Sequence, residues 1–361
     1  MFTVPPPATD SLLSSARQYR NWVGLLYTDR FIYMAKQYHI WRLDLRDFQK
    51  YPLIKLPVNW LRQKAAGFWP LRRLGRLFPR EFCQTPSGAL LVALQKSIFR
   101  IDPEAHDCNP ALPDTGGGRT RGFAINPQGQ IFVGEYWGNP QRQPLRIWVS
   151  PDDGRSWEVV NSLPGTNTKH IHNLTWDPYR QGIWILTGDA EGECALLFSQ
   201  DNFQTITELV RGGQLFRAVQ IFCRPEGVYY GTDSEREQNW FVFLDVNSGK
   251  VRKIQPLPGS CIHAAKMAGT FFISTAVEPS KINHYPNAVL WSSSDLQQWS
   301  KVIEFKKDWL PGEYFGFGNI IFPRIQGECP ALIFSTLAVS NYDFTTFVVT
   351  DNRPPISGHN L

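Results

Sequence analysis

Hydrophobic and polar positions alternate along this chain in short runs, broken at close intervals by Gly, Pro, Asn and Asp. Such runs read as half-buried β-strands bounded by turns. After residue 118 one phrase recurs: a strand, a tight turn, an aromatic-rich strand ending near an acid, a third strand, a polar turn and a fourth strand. "RGFAINPQGQIFVGEYWGNPQRQPLRIWVSPDDGRSWEVV" is the first clear copy and "HIHNLTWDPYRQGIWILTGDAEGECALLFSQDNFQTITELV" the second. Three more copies begin at "FRAVQIFCRPEG", "IHAAKMAGTFFIS" and "FGFGNIIFPRIQG". Looser copies, "VGLLYTDRFIYMAKQYHIWRLDL" and "REFCQTPSGALLVALQKSIFRIDP", precede them. A period of roughly 40–60 residues with four strands per unit is the pattern of propeller blades.

The expected architecture is therefore all-β: a single β-propeller domain spanning 1–361, built of four-stranded blades. Units fall at about 19–50, 80–115, 119–160, 168–210, 215–257, 260–305 and 314–352. Seven blades fit best, and six remain if the N-terminal copy is decoration. Helical periodicity competes only at residues 60–77, within an insertion at 58–79. A two-domain β-sandwich would not repeat the strand–acid–strand order.

Between the third and fourth strands of the first clear copy stands "SPDDGRSW", Ser150 to Trp157. Asp152 is placed to accept backbone N–H groups within the turn, and Gly154 to supply a backbone angle that other residues resist. Ser150 and Ser156 can cap neighbouring groups, while Trp157 opens the next strand and packs under the turn. This spacing resembles the Asp-box of sialidase-like, BNR-repeat propellers. Echoes without the glycine stand at "SQDNFQTI" and "SSSDLQQW". In that family the box is a structural turn on the face away from the ligand, so the resemblance implies that chemistry lies on the opposite face.

Composition sharpens this picture. Hydrophobic residues make up 42% and charged residues 19%, as in a folded protein rather than a disordered one. Aromatics reach 14%, which suits strands and the stacking of sugars. A net charge of +5 is mild, and no nucleic-acid module is present, so nucleic acid is not an expected partner. The basic residues cluster once, in Trp60 to Arg80, the sole segment suited to peripheral membrane contact. No apolar run reaches membrane-spanning length, and the N-terminus lacks an apolar signal core, which points to the cytoplasm. The six cysteines show no CxxC pair and read as reduced.

In a propeller the first-strand starts and second-strand ends meet around the central hollow. Those positions hold Arg121, His170, His172, Arg217, His263 and Tyr314 from first-strand starts. Second-strand ends supply Glu135, Tyr136, Asp189, Asp233 and Glu278. The set suits a saccharide or another small polar ligand. Arg121 and Arg217 would orient an acidic substrate, with Tyr136, His263 and Glu278 as further binding groups. Glu135, Asp189, Asp233, His172 and Tyr314 are the catalytic candidates, as paired carboxylates or as a base. The sialidase resemblance implies an arginine cluster and a tyrosine–glutamate pair, for which Arg121, Arg217, Tyr314 and Glu135 are the right types. A third arginine and the N-terminal Arg-Ile/Leu-Pro motif are missing.

His170 and His172 are two apart on a strand and so share a face. With His263 they could hold a divalent metal, an arrangement similar in style to propeller-shaped oligogalacturonate lyases. Hydrolysis of an acidic saccharide leads these readings. A histidine- and tyrosine-dependent polysaccharide lyase and a non-catalytic interaction scaffold are the alternatives.

Overall fold

The computed structural model describes residues 9–94, 96–113 and 119–350, with the side chains of 9–11 and 119–121 outside the description. Its strands form seven antiparallel blades of four strands each around a central axis. The fourth blade shows the plan. His170–Asp177 is innermost, Gly182–Gly188 and Cys194–Ser199 follow, and Thr207–Gly212 is outermost. Gly182–Gly188 is buried along its whole length, whereas Thr207–Gly212 is partly exposed throughout. That gradient follows the sequence, apolar on inner strands and polar on outer ones.

Apolar side chains fill the spaces between neighbouring blades. Phe132 and Ile147 of the third blade meet Ile171 and Ile185 of the fourth in one cluster. Leu186 and Leu196 of the fourth meet Tyr230 and Val242 of the fifth in the next. The core is therefore a ring of inter-blade seams, and the axial hollow is lined by polar and apolar groups together.

Two pairings close the ring. Arg17–Arg20 forms the outermost strand of the seventh blade, with Arg17 opposite Val348. Arg324–Gln326 runs parallel to Val23–Thr28 of the first blade, with Leu26 opposite Arg324. Both join residues about as far apart in the chain as the fold allows, so a repeat pattern does not reveal them.

Turns between the third and fourth strands of the third, fourth and sixth blades share one hydrogen-bond design. Asp152 Oδ1 accepts from the Arg155 and Ser156 amides at 3.1 and 2.8 Å, and Ser150 Oγ accepts from the Gly154 amide at 2.8 Å. Asp201 with Ser199 and Asp295 with Ser293 repeat it. Where the first turn has Gly154 at φ 82°, the others have Phe203 at 70° and Leu296 at 63°. Both substitutes are buried at seams, so apolar burial offsets a conformation that favours glycine.

Among the described residues, the blade-to-blade connections and second-to-third-strand loops lie on the other face. One connection, between the first two blades, carries the helices Trp60–Gly67 and Trp69–Leu74.

Candidate functional site

The hollow at the axis is a cavity of about 1540 Å3. Its lining includes Tyr136, His172, Asp189, Arg217, Asp233, His263 and Glu278. Seven of the sequence-derived candidates thus come to one space, from the third to the sixth blades.

His170 and His172 open the innermost strand of the fourth blade. Pairing with the next strand slips by one residue between Ile171 and Asn173, which makes His172 the extra residue of a bulge. Bulges re-aim side chains at the mouths of such sites. Gly188 stands opposite, and a Cβ there would lie 2.6 Å from His172 Cε1, so only glycine lets the ring in. His170 lies just beneath, its ring centroid 4.9 Å from that of His172 and 4.3 Å from that of Tyr136.

Backbone carbonyls fix both rings. His170 Nδ1 is 3.1 Å from the Trp137 oxygen, and His172 Nδ1 is 2.9 Å from the Ala218 oxygen. A carbonyl only accepts, so each Nδ1 carries the hydrogen and each Nε2 of a neutral ring presents a lone pair. Those two Nε2 atoms are 3.0 Å apart, and they stand 3.2 and 3.0 Å from Asp189 Oδ1. Burial first, and then the neighbouring His172, lower the pKa of His170 despite Asp189, which keeps the ring neutral. Three acceptors therefore converge on one point.

Asp189 is held firmly. Lys169 Nζ donates to its Oδ2 at 2.7 Å, Arg217 Nη2 pairs with its Oδ1 at 3.1 Å, and Gln214 Nε2 donates to its backbone oxygen at 3.0 Å. Arg217 also pairs with Asp233, at 3.5 Å, and with Glu235. Burial works against the guanidinium, yet these acids raise its pKa. Glu278 differs. Burial, and next Asp233, push its pKa up, although it accepts from Ser260 Oγ at 2.9 Å.

Several expected roles do not fit this geometry. Glu135 is buried and turned into its blade, accepting from Arg146 Nε at 2.7 Å and Trp148 Nε1 at 3.3 Å. Pleat alternation explains it: adjacent Tyr136 faces the cavity, so Glu135 cannot. Tyr314 falls on the short helix Gly312–Phe315 and is 59% exposed, outside the cavity lining. Arg217 already serves three carboxylates, so it supports the acids rather than standing free for a substrate. His263 lines the cavity from the sixth blade, but the third donor of the histidine cluster is Asp189. The side chain of Arg121 lies outside the described residues. Lys169, Gln214 and Glu235 were missed. Lys169 precedes the His-x-His run and Glu235 follows Asp233 by two, so adjacency was the available signal.

No family model matches the chain, and no curated protein matches its sequence. Solved structures match by shape. An oligogalacturonate lyase in complex with manganese is similar at TM-score 0.58 and 10% identity, over 93% of this chain and 91% of that one. The GH74 xyloglucanase from Xanthomonas campestris is similar at 0.59 and 14%, over 90% of this chain and 52% of that one. The WD40 propeller domain of Doa1 is similar at 0.56 and 10%, over 93% and 95%. These likenesses show the fold. The chain is a seven-bladed β-propeller.

Asp189, Asp233 and Glu278 lie on the cavity wall, Lys169 and Arg217 pair with Asp189, and Glu235 joins the same network through Arg217. Two lone-pair nitrogens and a carboxylate in that field match the donor set of a divalent cation such as manganese or zinc. The hydrogen bonds at each Nδ1 are the outer-shell contacts that fix a ligating histidine. On donor chemistry, the residues present fit a metal.

Proposed function

We propose that the protein acts on an acidic saccharide in the axial cavity, with His170, His172 and Asp189 holding a divalent cation. The convergence of three acceptors, with both imidazoles locked in the Nδ1–H form, carries this reading. A bound cation would supply a Lewis acid that polarises a uronate carboxylate. Around it the chain has defined tasks. Lys169 and Arg217 keep Asp189 ionised and in place. Glu278, whose proton is held more tightly than usual, can pass it to a leaving oxygen. Tyr136, against the face of His170, offers a ring on which a sugar can stack.

Elimination from a uronide is the favoured reaction class: a bound cation would acidify the C–H beside the carboxylate, His263 on the cavity wall would take that proton and Glu278 would protonate the departing oxygen, whereas Glu135 and Tyr314 have left the hydrolytic set. The resemblance in shape to a manganese-bound lyase supports the same direction. Hydrolysis is the second reading, favoured by the raised pKa of Glu278 beside Asp233. A scaffold would have a narrow, internally paired channel; the charges around Arg217 are paired, and the width of the hollow, about 1540 Å3, is what argues against a scaffold.

Purified protein incubated with uronide oligosaccharides and Mn2+ distinguishes these. Elimination yields an ultraviolet-absorbing unsaturated product, abolished by chelator and by His172→Ala. New reducing ends without that absorbance mean hydrolysis, and neither signal on any uronide sinks the enzymatic reading.

A further inference from the structure

Surface helices ordinarily bury apolar side chains and show charged ones. The second helix of the insertion between the first two blades does the reverse. In Trp69–Leu74, Arg72 and Arg73 are buried while Leu71 and Leu74 stand 43% and 50% exposed. Arg72 lies 3.9 Å from the centroid of the Phe344 ring. Arg73 pairs with Asp308 and Asp343 at 2.7 and 2.9 Å and donates to the Phe315 oxygen at 2.6 Å. These arginines fasten the helices to the propeller, and the outward side is left to Trp60, Leu61, Phe68, Leu71 and Leu74.

Trp309, next to the anchoring Asp308, is 86% exposed, the most of any large hydrophobic residue among those described. Eight of the thirteen exposed large hydrophobics among the described residues fall within Trp60–Leu74 or between 309 and 314. Both stretches are blade-to-blade connections on the face of His170, and they touch through Arg73. Scattered exposed leucines need no explanation, but a cluster of this size on one face marks an interaction surface.

Charge selects the partner. Trp60 to Arg80 contains six basic residues and no acid. Lys64, Arg76 and Arg80 are exposed there, and Lys306 is exposed just before Trp309. Glu313 is the one exposed acid between 309 and 314. Tryptophan favours the boundary of water and hydrocarbon, and lysine and arginine beside it favour anionic headgroups. Protein interfaces, by contrast, are depleted in lysine. No helix among the described residues is long and apolar enough to cross a membrane, so contact through these helices would be peripheral.

We propose that this face docks on an anionic lipid bilayer, with Trp60, Leu74 and Trp309 inserted at headgroup depth. Arg76, Phe78 and Phe315 also line the axial cavity, so the cavity opens beside the docking surface. Docking would then turn the site toward glycans carried on the membrane, a consequence that rests on the saccharide reading above.

Sedimentation of the full chain with phosphatidylcholine vesicles, with and without phosphatidylglycerol, tests the docking. Binding to the anionic vesicles should exceed binding to the neutral ones by about ten-fold and fall with salt. The variant Trp60→Ser/Leu74→Ser/Trp309→Ser should lose about ten-fold in binding at unchanged thermal stability, since all three side chains are exposed. Lys64→Glu/Arg76→Glu should lose the preference for anionic lipid. His172→Ala should bind vesicles as wild type does, so failure of the metal reading leaves this result intact. Absent binding, binding untouched by the triple variant, or a self-association in ultracentrifugation that the triple variant abolishes would each overturn the proposal.

Discussion

Two buried charge clusters lie on the same face of this propeller, and they are built on opposite principles. Around Arg73, the contacts run from donor to acceptor. Its guanidinium meets Asp308 and Asp343, and Asp343 also accepts from Trp69 Nε1 and the Ala338 amide, each at 2.7 Å. Around Asp189, two nitrogens and an oxygen turn lone pairs toward one another. The first cluster pairs its cation with two acids and serves as a structural joint. The second gathers acceptor atoms of the kind that hold a cation, with Lys169 and Arg217 paired to Asp189 beside them.

The comparison breaks first at the joint. Arg73→Ala leaves two part-buried carboxylates facing each other and frees the helices, so it should cost about 3–5 kcal/mol of stability. Urea unfolding reads this directly. A loss below about 1 kcal/mol would mean that the arginine is no anchor.

The histidine cluster should respond to metal instead. Free Mn2+ at a hundred-fold over its dissociation constant should stabilise the wild type by about 2.7 kcal/mol. His172→Ala should gain almost nothing under the same conditions. A thermal scan with and without chelator compares the two, and equal gains in both proteins would place the metal elsewhere.

Glu278 gives a smaller, pH-dependent contrast. Its pKa is raised in the folded protein, so the folded state binds the proton more tightly than the unfolded chain. That stabilisation is present below the ordinary glutamate range and is lost as pH rises through the raised value. Glu278→Gln keeps an acceptor for Ser260 and removes the titration. Its melting temperature should exceed that of the wild type near neutral pH, and the difference should vanish in acid. A constant offset across pH would show that the carboxyl is not strained by its burial.

Strand alternation and turn chemistry made the ring legible before any coordinates, because both are local. The same locality explains the failures. Pairing of Arg17 with Val348 joins the two ends of the chain and leaves no local trace. Glu135 was misplaced by one step of pleat, since the sequence gives the end of a strand but not which side faces the axis. Tyr314 was misplaced because a blade-to-blade connection folded into a helix. His170, His172 and Asp189 were found from position alone, yet their convergence depends on a bulge and on Gly188, which no pattern announces.

The opposite face provides the mildest contrast. Ser199 Oγ accepts from the Phe203 amide at 2.8 Å and donates to Asp201 Oδ1 at 3.0 Å, the same pair of bonds that Ser150 makes with Gly154 and Asp152. The hydroxyl is buried, so Ser199→Ala leaves one amide without its partner and should cost about 1 kcal/mol. Ser150→Ala should cost somewhat less, because at φ 82° Gly154 tolerates its turn without help, whereas Phe203 is held at φ 70° against its preference. Neither change should alter the response to Mn2+ or to uronide. A loss of metal response in either variant would mean that the two faces communicate through that variant's blade, the third for Ser150 and the fourth for Ser199, and that the turns do more than shape the strand ends.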